Sequence, residues 1–195
     1  MLPKRVTIFG GSQPRPGEPA YEQALRLGYL LGKAGCTVLT GGYIGTMEAV
    51  SRGAAEAGGY VIGVTCEDIE RWRPVKANAW VQEEWRCHTL SERLARLIDG
   101  CGAALALPGG PGTLTEIALT WNLLLTESIS PRPLILIGPG WQATFGAFLR
   151  ALGEYVPTNQ RQWLSFANNV DLAIKELEKR GRINSETTPS NSGIL

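Results

Sequence analysis

The sequence predicts an α/β fold in which one doubly wound, mostly parallel sheet lies between two layers of helices, a Rossmann-like arrangement of three layers. The first observation is that apolar runs of about five residues recur along the chain and are continuous rather than alternating, which is typical of strands covered on both faces. The second is that segments with helical periodicity separate these runs. Elements in this order favour a parallel sheet with right-handed crossovers.

Five strands are predicted from the apolar runs. In chain order they are "VTIFG" from Val6, "TVLTG" from Thr37, "YVIGV" from Tyr60, "AALAL" from Ala103 and "LILIG" from Leu134.

Six helices are predicted between and after these strands. In the first helix, Leu27, Leu30 and Leu31 fall on one stripe, and Gly35 is expected to end it. Asn168 or Asn169 is expected to cap the last helix. The predicted helices are Tyr21–Lys33, Met47–Ala57, Leu90–Ile98, Thr115–Thr126, Trp141–Leu152 and Asp171–Arg180.

The length of 195 residues suits one well-buried domain. We expect residues 1–180 to form a single Rossmann-like nucleotide-binding domain, and the polar, turn-rich residues 181–195 to form a flexible tail. One long connection, Thr65–Cys87, is dense in tryptophan, arginine and proline. A connection of that length in a compact domain is usually functional or covers a partner surface.

Composition and charge exclude several classes of protein. The formal net charge is +1, so neither nucleic acid nor a membrane surface is an expected partner. No apolar run approaches the roughly 20 residues of a membrane-spanning helix. Residues 1–10 lead directly into a predicted strand, without the apolar stretch of a signal peptide. We therefore expect a cytoplasmic location.

The cysteines are scattered, without the spacing of metal ligands. We expect Cys36, Cys66, Cys87 and Cys101 to be free thiols, in preference to a disulfide pair or a metal site. His88 is the only histidine, so a catalytic zinc is not expected, and His88 itself is interpreted as an incidental cap or core residue. No metal and no cofactor is expected.

Three glycine-rich loops follow predicted strands and would meet at the carboxyl edge of the sheet, where ligands bind in this class of fold. Glycine lets the backbone approach a ligand closely, and the helix N-terminus that follows offers unpaired N–H donors, which suits a phosphate. The alternative is that each loop is only a tight turn. The loops are Phe9–Gly17, Leu39–Ala49 and Leu107–Glu116.

Candidate residues for binding phosphate and ribose come from these loops. No loop carries the GK[ST] of a Walker motif, and the first loop lacks GxGxxG. A mononucleotide is therefore favoured over ATP or NAD. The candidates are Gly11, Ser12, Gly41, Gly42, Gly45, Gly109, Gly110, Gly112 and Thr113.

Glu116 lies about one turn into the helix that the third loop opens. There its carboxylate could hydrogen-bond ribose hydroxyls, orient a water molecule or offset positive charge at an anomeric carbon. The alternative is structural, because Thr113 and Glu116 also match the spacing of a capping box.

The predicted helix Leu90–Ile98 carries Arg93 and Arg96 beside an expected buried stripe. For either arginine, a solvated side chain is the default interpretation. The stripe consists of Leu90, Leu94 and Leu97.

The sequence "PGGPGTLTE", Pro108–Glu116, matches the PGGxGTxxE motif of the LOG ("lonely guy") family of cytokinin riboside 5′-monophosphate phosphoribohydrolases, which are often mislabelled lysine decarboxylases. The resemblance covers about Arg5–Arg180. "GGYIGTMEAVSRGAAEAGG" is similar to the family's second-strand loop, with departures at Thr40, Thr46 and Glu48.

"LSERL" resembles only in part the family's Met-His-x-Arg-Lys motif. Arg93 matches the arginine, whereas Ser91 stands for the histidine and Leu94 for the lysine. The departures leave the preferred base and the level of activity open.

The resemblance implies that Arg93 and Glu116 are the catalytic residues. It implies hydrolysis of the N-glycosidic bond of a nucleoside 5′-monophosphate, AMP-like or cytokinin-type, to free base and ribose 5-phosphate. It also implies a homodimer with the site near the interface, which the segment Trp72–Trp85 would help to cover.

Two other interpretations compete with this enzyme. Similar Rossmann-like proteins carry nucleotide-derived ligands such as molybdenum cofactor, so a non-catalytic carrier or binder is the alternative function. A pyridoxal phosphate decarboxylase needs a lysine in its pocket, and none lies in the three loops, which argues against that label. The lysines are Lys4, Lys33, Lys76, Lys175 and Lys179.

Overall fold

Seven strands within residues 2–186, the part of the chain that this computed structural model describes, form one wholly parallel sheet. The strands are β1 Arg5–Phe9, β2 Thr37–Thr40, β3 Val61–Cys66, β4 Glu83–Cys87, β5 Ala103–Ala106, β6 Leu134–Ile137 and β7 Leu164–Ala167. Their order across the sheet is β4-β3-β2-β1-β5-β6-β7.

Helices cover both faces of this sheet. Their bounds are α1 Pro19–Lys33, α2 Thr46–Glu56, α3 Glu67–Trp72, α4 Leu90–Asp99, α5 Pro111–Leu125, α6 Pro139–Leu152, α7 Thr158–Arg161 and α8 Val170–Glu186, with a 3₁₀ turn at Gly153–Tyr155. One apolar cluster packs α1, α2 and α8 on one face, and a second packs α4, α5 and α6 on the other. The predicted three-layer α/β fold is thus confirmed. Between residues 2 and 186, no helix combines the length and apolarity needed to cross a bilayer.

All five predicted strands and all six predicted helices are present, with shifts of a few residues at their ends. The segment Thr65–Cys87 is more ordered than a simple connection, because it contains α3 and the edge strand β4. The sequence of β4, "EEWRC", is mostly exposed and lacks the continuous apolar run by which the central strands were predicted. The other edge strand, β7, was missed as well.

The two predicted helix ends have the expected local chemistry. Gly35 has a φ of 76°, and its N–H donates to the Gly32 carbonyl while the Cys36 N–H donates to Leu31, which together form a Schellman motif. At the start of α8, the Asn169 side chain accepts a hydrogen bond from the Leu172 N–H at 3.0 Å. Helix α8 continues to Glu186, into the segment expected to be a tail, and residues 187–195 lie outside the described residues.

The direction of winding reverses between β1 and β5, so this pair marks the switch point of the sheet. The three glycine loops meet there and are hydrogen-bonded to one another. The Gly11 N–H donates to the Pro108 carbonyl at 3.2 Å, and the Thr46 N–H donates to the Gly11 carbonyl at 2.9 Å. This network holds the loop after β1 between the loops after β2 and β5.

Glycines let α1 and α2 pack closely. A Cβ at Gly28 would overlap the carbonyl oxygen of Val50, and a Cβ at Gly53 would overlap that of Leu25. Each helix therefore places a glycine against the other helix's backbone, and neither backbone can move aside without disturbing the layer.

We predict that Gly28→Ala and Gly53→Ala each lower the free energy of unfolding by about 1–3 kcal/mol, because the added methyl group is overpacked. Gly146→Ala in α6 is the matched control, since its Cβ would meet only the flexible end of Arg150. There the better helix propensity of alanine should leave stability unchanged or raise it by up to about 1 kcal/mol. Urea denaturation measures the three variants, and equal effects at all three positions would contradict the close packing.

Candidate active site

A cleft of about 440 Å³ lies at the carboxyl edge of the sheet, over the switch point. The loop after β1 forms one side through Gly10–Gln13, and the start of α5 forms another through Gly110–Thr113. Side chains from the loop after β2 and from the region of α3 form the remaining wall, together with Arg93 and Glu116. Two of the three glycine loops therefore contribute backbone to the cleft.

The third loop places the start of α5 at the cleft. Helix α5 begins at Pro111, Gly110 is its N-cap, and no side chain caps it. Positions Gly110 and Gly112 are open, since a Cβ at either would meet nothing within 4 Å. The N–H groups of a first helical turn have no partner within the helix and attract anions, so this turn has the properties of an anion site.

The capping-box interpretation of Thr113 and Glu116 is wrong. The N-cap is Gly110, so Thr113 lies inside the first turn and Glu116 in the second. Both side chains are buried. The Thr113 hydroxyl lies where a Cβ at Gly109 would be, so Gly109 makes room for Thr113 and is not among the residues that line the cleft.

The second loop shapes the cleft without lining it through its glycines. None of Gly41, Gly42 and Gly45 is among the lining residues. A Cβ at Gly41 would overlap the Arg93 guanidinium, and Gly45 has a φ of 77° and would bring a Cβ within 2.6 Å of the Gly11 carbonyl oxygen. These glycines allow other parts of the chain to come close.

Arg93 is buried, unlike the solvated arginine that is the default for such a position. The expected stripe is wrong at Leu90, which is 45% exposed; Arg93, Leu97 and Ile98 are the buried residues of α4. The buried face of α4 differs from the predicted stripe because the Arg93 guanidinium, which has backbone acceptors, occupies a position that an apolar side chain would otherwise fill. The solvated interpretation holds for Arg96, whose exposed side chain lies 3.5 Å from Glu92.

The guanidinium of Arg93 is held by backbone carbonyls. Its Nε donates to the Val64 carbonyl at 2.8 Å, and its Nη2 donates to the Gly41 carbonyl at 3.3 Å. The guanidinium carbon lies 5.8 Å from the centroid of the Tyr43 ring, within the range of a cation–π contact. Arg93 is thus fixed by the backbone of β3 and of the loop after β2.

The third nitrogen of this guanidinium faces Glu116. The separation from Arg93 Nη1 to Glu116 Oε1 is 3.9 Å, too long for a hydrogen bond. Burial raises the pKa of the Glu116 carboxyl from its ordinary value of 4.5 to about 7, and the Arg93 charge lowers it by less. Near neutral pH, both forms of the carboxyl are therefore populated, which suits a group that accepts and releases protons.

The remaining candidates lie away from the cleft. All four cysteines fall within the described residues and are free and buried, as expected. His88 is neither a core residue nor a cleft residue: its side chain is exposed, and its Nδ1 lies 3.3 Å from Glu67 Oε1. Ser91 and Leu94 are not among the cleft-lining residues, nor is any of the chain's lysines.

The sequence analysis missed six side chains outside the "PGGPGTLTE" motif that line the cleft, the first of which is Gln13 in the loop after β1. Tyr43 and Met47 lie within the second glycine loop, whose motif is defined by its glycines and does not single them out. The other three come from α3 and the residue after it, inside the tryptophan- and arginine-rich segment whose spacing picks out no individual position. They are Ile69, Trp72 and Arg73.

A family model described as the SLOG cluster4 family matches residues 3–124. The matched span contains the three glycine loops, Arg93 and Glu116. The chain belongs to this family. The resemblance to the LOG proteins, which was based on the "PGGPGTLTE" motif, is thereby confirmed.

Curated relatives of this SLOG chain include a cytokinin riboside 5′-monophosphate phosphoribohydrolase of Rhodococcoides fascians, 30% identical over 69% of the chain and 68% of that protein. A second of that name, from Arabidopsis thaliana, is 30% identical over 90% of the chain and 82% of its own length. Among solved structures, the molybdenum cofactor binding protein of Rippkaea orientalis superposes with a TM-score of 0.71 at 22% identity, over 92% of this chain and 98% of that one. At that identity the likeness shows the shared fold.

We predict that Glu116 makes stability depend on pH. Because its pKa is higher in the folded chain than in the unfolded one, the folded state binds this proton more tightly, and the residue lowers the free energy of unfolding as the pH rises from 4.5 to about 7. Glu116→Gln should therefore gain stability relative to wild type across that interval. Urea denaturation at several pH values measures this difference.

Glu178 is an exposed carboxylate on α8, and Glu178→Gln is the control. Its free energy of unfolding, plotted against pH, should run parallel to that of wild type. A Glu116→Gln curve that also ran parallel to wild type would contradict the raised pKa.

Proposed function

We propose that this SLOG protein hydrolyses the N-glycosidic bond of a nucleoside 5′-monophosphate, AMP-like or cytokinin-type, and releases the free base and ribose 5-phosphate. The observation that carries the proposal is the buried Glu116 carboxyl, with its pKa near 7, beside Arg93 in a cleft that also contains an uncapped helix N-terminus. The named activity of the relatives from Rhodococcoides fascians and Arabidopsis thaliana supports the same reaction class.

In this proposal, the phosphate is bound by backbone N–H groups at the start of α5 and by the loop after β1. The residues concerned are Gly11, Ser12, Gly110, Gly112 and Thr113, all of which line the cleft. The Gly11 N–H already donates to Pro108, so Gly11 lies beside the phosphate without donating to it. The other glycines of the loops, Gly41, Gly42, Gly45 and Gly109, act by allowing the loops to pack closely.

Glu116 is proposed to act at the anomeric carbon. Water supplies its oxygen to that carbon, the carbon–nitrogen bond breaks, and the water's proton ends on the departing base. The ionised carboxylate stabilises the oxocarbenium-like sugar and accepts the proton of the attacking water. Because its pKa is near 7, the group can then pass that proton to the departing base at neutral pH.

Arg93 is proposed to serve two purposes. Its positive charge keeps part of the Glu116 population ionised despite burial, since it lowers the carboxyl pKa. It also supports the negative charge that develops on the base as the bond breaks. A guanidinium fixed by two carbonyls needs no reorientation during the reaction.

We predict that the wild-type protein releases free base from at least one member of a panel of nucleoside 5′-monophosphates, measured by chromatography. Glu116→Gln should lower the rate by at least about 10²-fold, the scale expected when one acid–base or electrostatic group is removed. Glu178→Gln, exposed on α8, is the matched control and should keep the wild-type rate.

Tight binding of a nucleotide without release of any base would contradict the proposal and favour the non-catalytic carrier instead. The structural likeness to a molybdenum cofactor binding protein makes this a meaningful outcome.

A homodimer is also part of the proposal. The outer surface of α5 and α6 exposes large apolar side chains, among them Leu114, Phe148 and Leu152, and the two helices are joined by an edge-on contact between Trp121 and Phe148 at 6.4 Å. In this proposal, that apolar surface is the contact between the two copies. Because α5 begins at the cleft, a second copy packed there would lie near the site.

We predict a dimer in sedimentation velocity at micromolar concentration. The double variant Phe148→Glu with Leu152→Glu should be a monomer, because it places charges in an apolar interface. Tyr29→Glu, at an exposed tyrosine of α1 in the opposite layer, is the control and should remain dimeric. A monomeric wild type, or loss of the dimer only in the control, would contradict this interface.

We also propose that the protein acts in the cytoplasm. Its four cysteines are all free, as expected in a reducing compartment.

A further inference from the structure

The cleft contains a second guanidinium that the proposed chemistry does not use. Arg73 follows α3 and lines the same cleft as the start of α5 and the loop after β1. Its side chain is half-buried, and its Nε is a buried donor without a hydrogen-bond partner. Among the described residues only one other buried side-chain polar atom, Ser165 Oγ, lacks a partner. A buried N–H donor is normally paired, so a ligand that this guanidinium turned to meet would displace no protein partner of its Nε.

The other arginine of the cleft is already engaged. Two of the three nitrogens of Arg93 donate to backbone carbonyls, and the third faces Glu116. Arg93 could turn toward a phosphate only by breaking contacts that hold it in the wall. No such contact restrains the Nε of Arg73.

The charges of the cleft favour an anionic ligand. Arg73 and Arg93 contribute two positive charges, and Glu116 is the one carboxylate among the residues that line the cleft. Burial raises the pKa of that carboxyl, so it neutralises less than one full charge near neutral pH. The cleft is therefore positive while the chain as a whole has a net charge of only +1.

The local backbone positions Arg73. Its N–H donates to the Ile69 carbonyl at 2.8 Å and so ends α3, and its own φ of −142° takes the chain out of the helix. The guanidinium carbon lies 5.7 Å from the centroid of the Trp72 ring. A planar guanidinium beside an aromatic ring loses less rotational freedom when it binds a phosphate through two parallel hydrogen bonds.

We propose that Arg73 binds the 5′-phosphate of the ligand, while Arg93 acts on Glu116 and the base. Arg73 would thus be the residue that makes the site select a phosphorylated nucleoside over the free nucleoside. This inference rests on the proposed function for the identity of the ligand, but it concerns binding and can be tested without catalysis.

The test measures affinity by calorimetry for ribose 5-phosphate, AMP and adenosine. AMP is titrated into a Glu116→Gln background so that hydrolysis does not contribute heat. Arg73→Gln should weaken binding of both phosphorylated ligands by about 10- to 100-fold, as expected for losing a charge-assisted hydrogen bond, and should leave adenosine unchanged. Arg73→Lys keeps the positive charge but lacks the paired N–H donors of a guanidinium. It should therefore weaken binding of the phosphorylated ligands less than Arg73→Gln does.

Arg71→Gln is the matched control. Arg71 lies on the same helix, is exposed and is paired with Asp68, and it is not among the residues that line the cleft. Its replacement should change none of the three affinities. Circular dichroism checks that each variant folds. If Arg73→Gln loses helix, Arg73→Lys is compared with wild type in its place, and it should still bind ribose 5-phosphate more weakly than wild type.

Two results would overturn the assignment of Arg73: wild-type affinity for AMP in Arg73→Gln, or an equal loss for AMP and adenosine. The proposed function fails separately. A wild type that binds ribose 5-phosphate through Arg73 but releases no base contradicts the hydrolysis and supports the phosphate contact. If Arg73→Gln releases base with the KM and rate of wild type, that result supports the hydrolysis and contradicts the phosphate contact of Arg73. A wild type that binds neither phosphorylated ligand contradicts both.

Discussion

The capture of the Arg93 guanidinium by the carbonyls of Val64 and Gly41 is the interaction on which the cleft depends. A buried guanidinium is tolerated only when its donors are satisfied, and the backbone of β3 and of the loop after β2 satisfies two of its nitrogens. This leaves a fixed positive charge beside Glu116, which lowers the pKa of the carboxyl against the larger, opposite effect of burial. A methyl group at Gly41 would overlap the guanidinium, so the glycine of the second loop is part of the same constraint.

The glycines of the three loops serve two physical purposes that look alike in a motif. At Gly110 and Gly112 the missing side chain leaves open space at the start of α5, which suits the approach of a ligand. At Gly41, Gly45 and Gly109 the missing side chain is replaced by another part of the protein. The cleft is therefore shaped by close contacts between loops as much as by backbone that is free to bind a phosphate.

The relatives show why the fold alone does not assign the activity. Chains with this architecture include a molybdenum cofactor binding protein, whereas the curated relatives are named as phosphoribohydrolases. A shared sheet and switch point provide a place for a nucleotide-like ligand in either case. What would separate hydrolysis from carriage is the ionisation of a single carboxyl and the cation beside it, since a carrier needs neither a proton acceptor nor a charge at the anomeric carbon.

The sequence by itself determined the central strands, the end of α1 at Gly35 and the loop that opens α5, because each depends on local chemistry: a continuous apolar run, a residue that accepts positive φ, or a glycine–proline turn. It did not reveal β4, whose polar residues form an edge that needs no apolar run. Helical periodicity assigned Leu90 to the buried side of α4, whereas in the tertiary structure Arg93 is buried. The carbonyls that accept hydrogen bonds from its guanidinium are distant from α4 in sequence, so periodicity could not indicate them. Arg73 enters the cleft for the same kind of reason. Only folding brings α3 to the start of α5, and no spacing along the chain records that meeting.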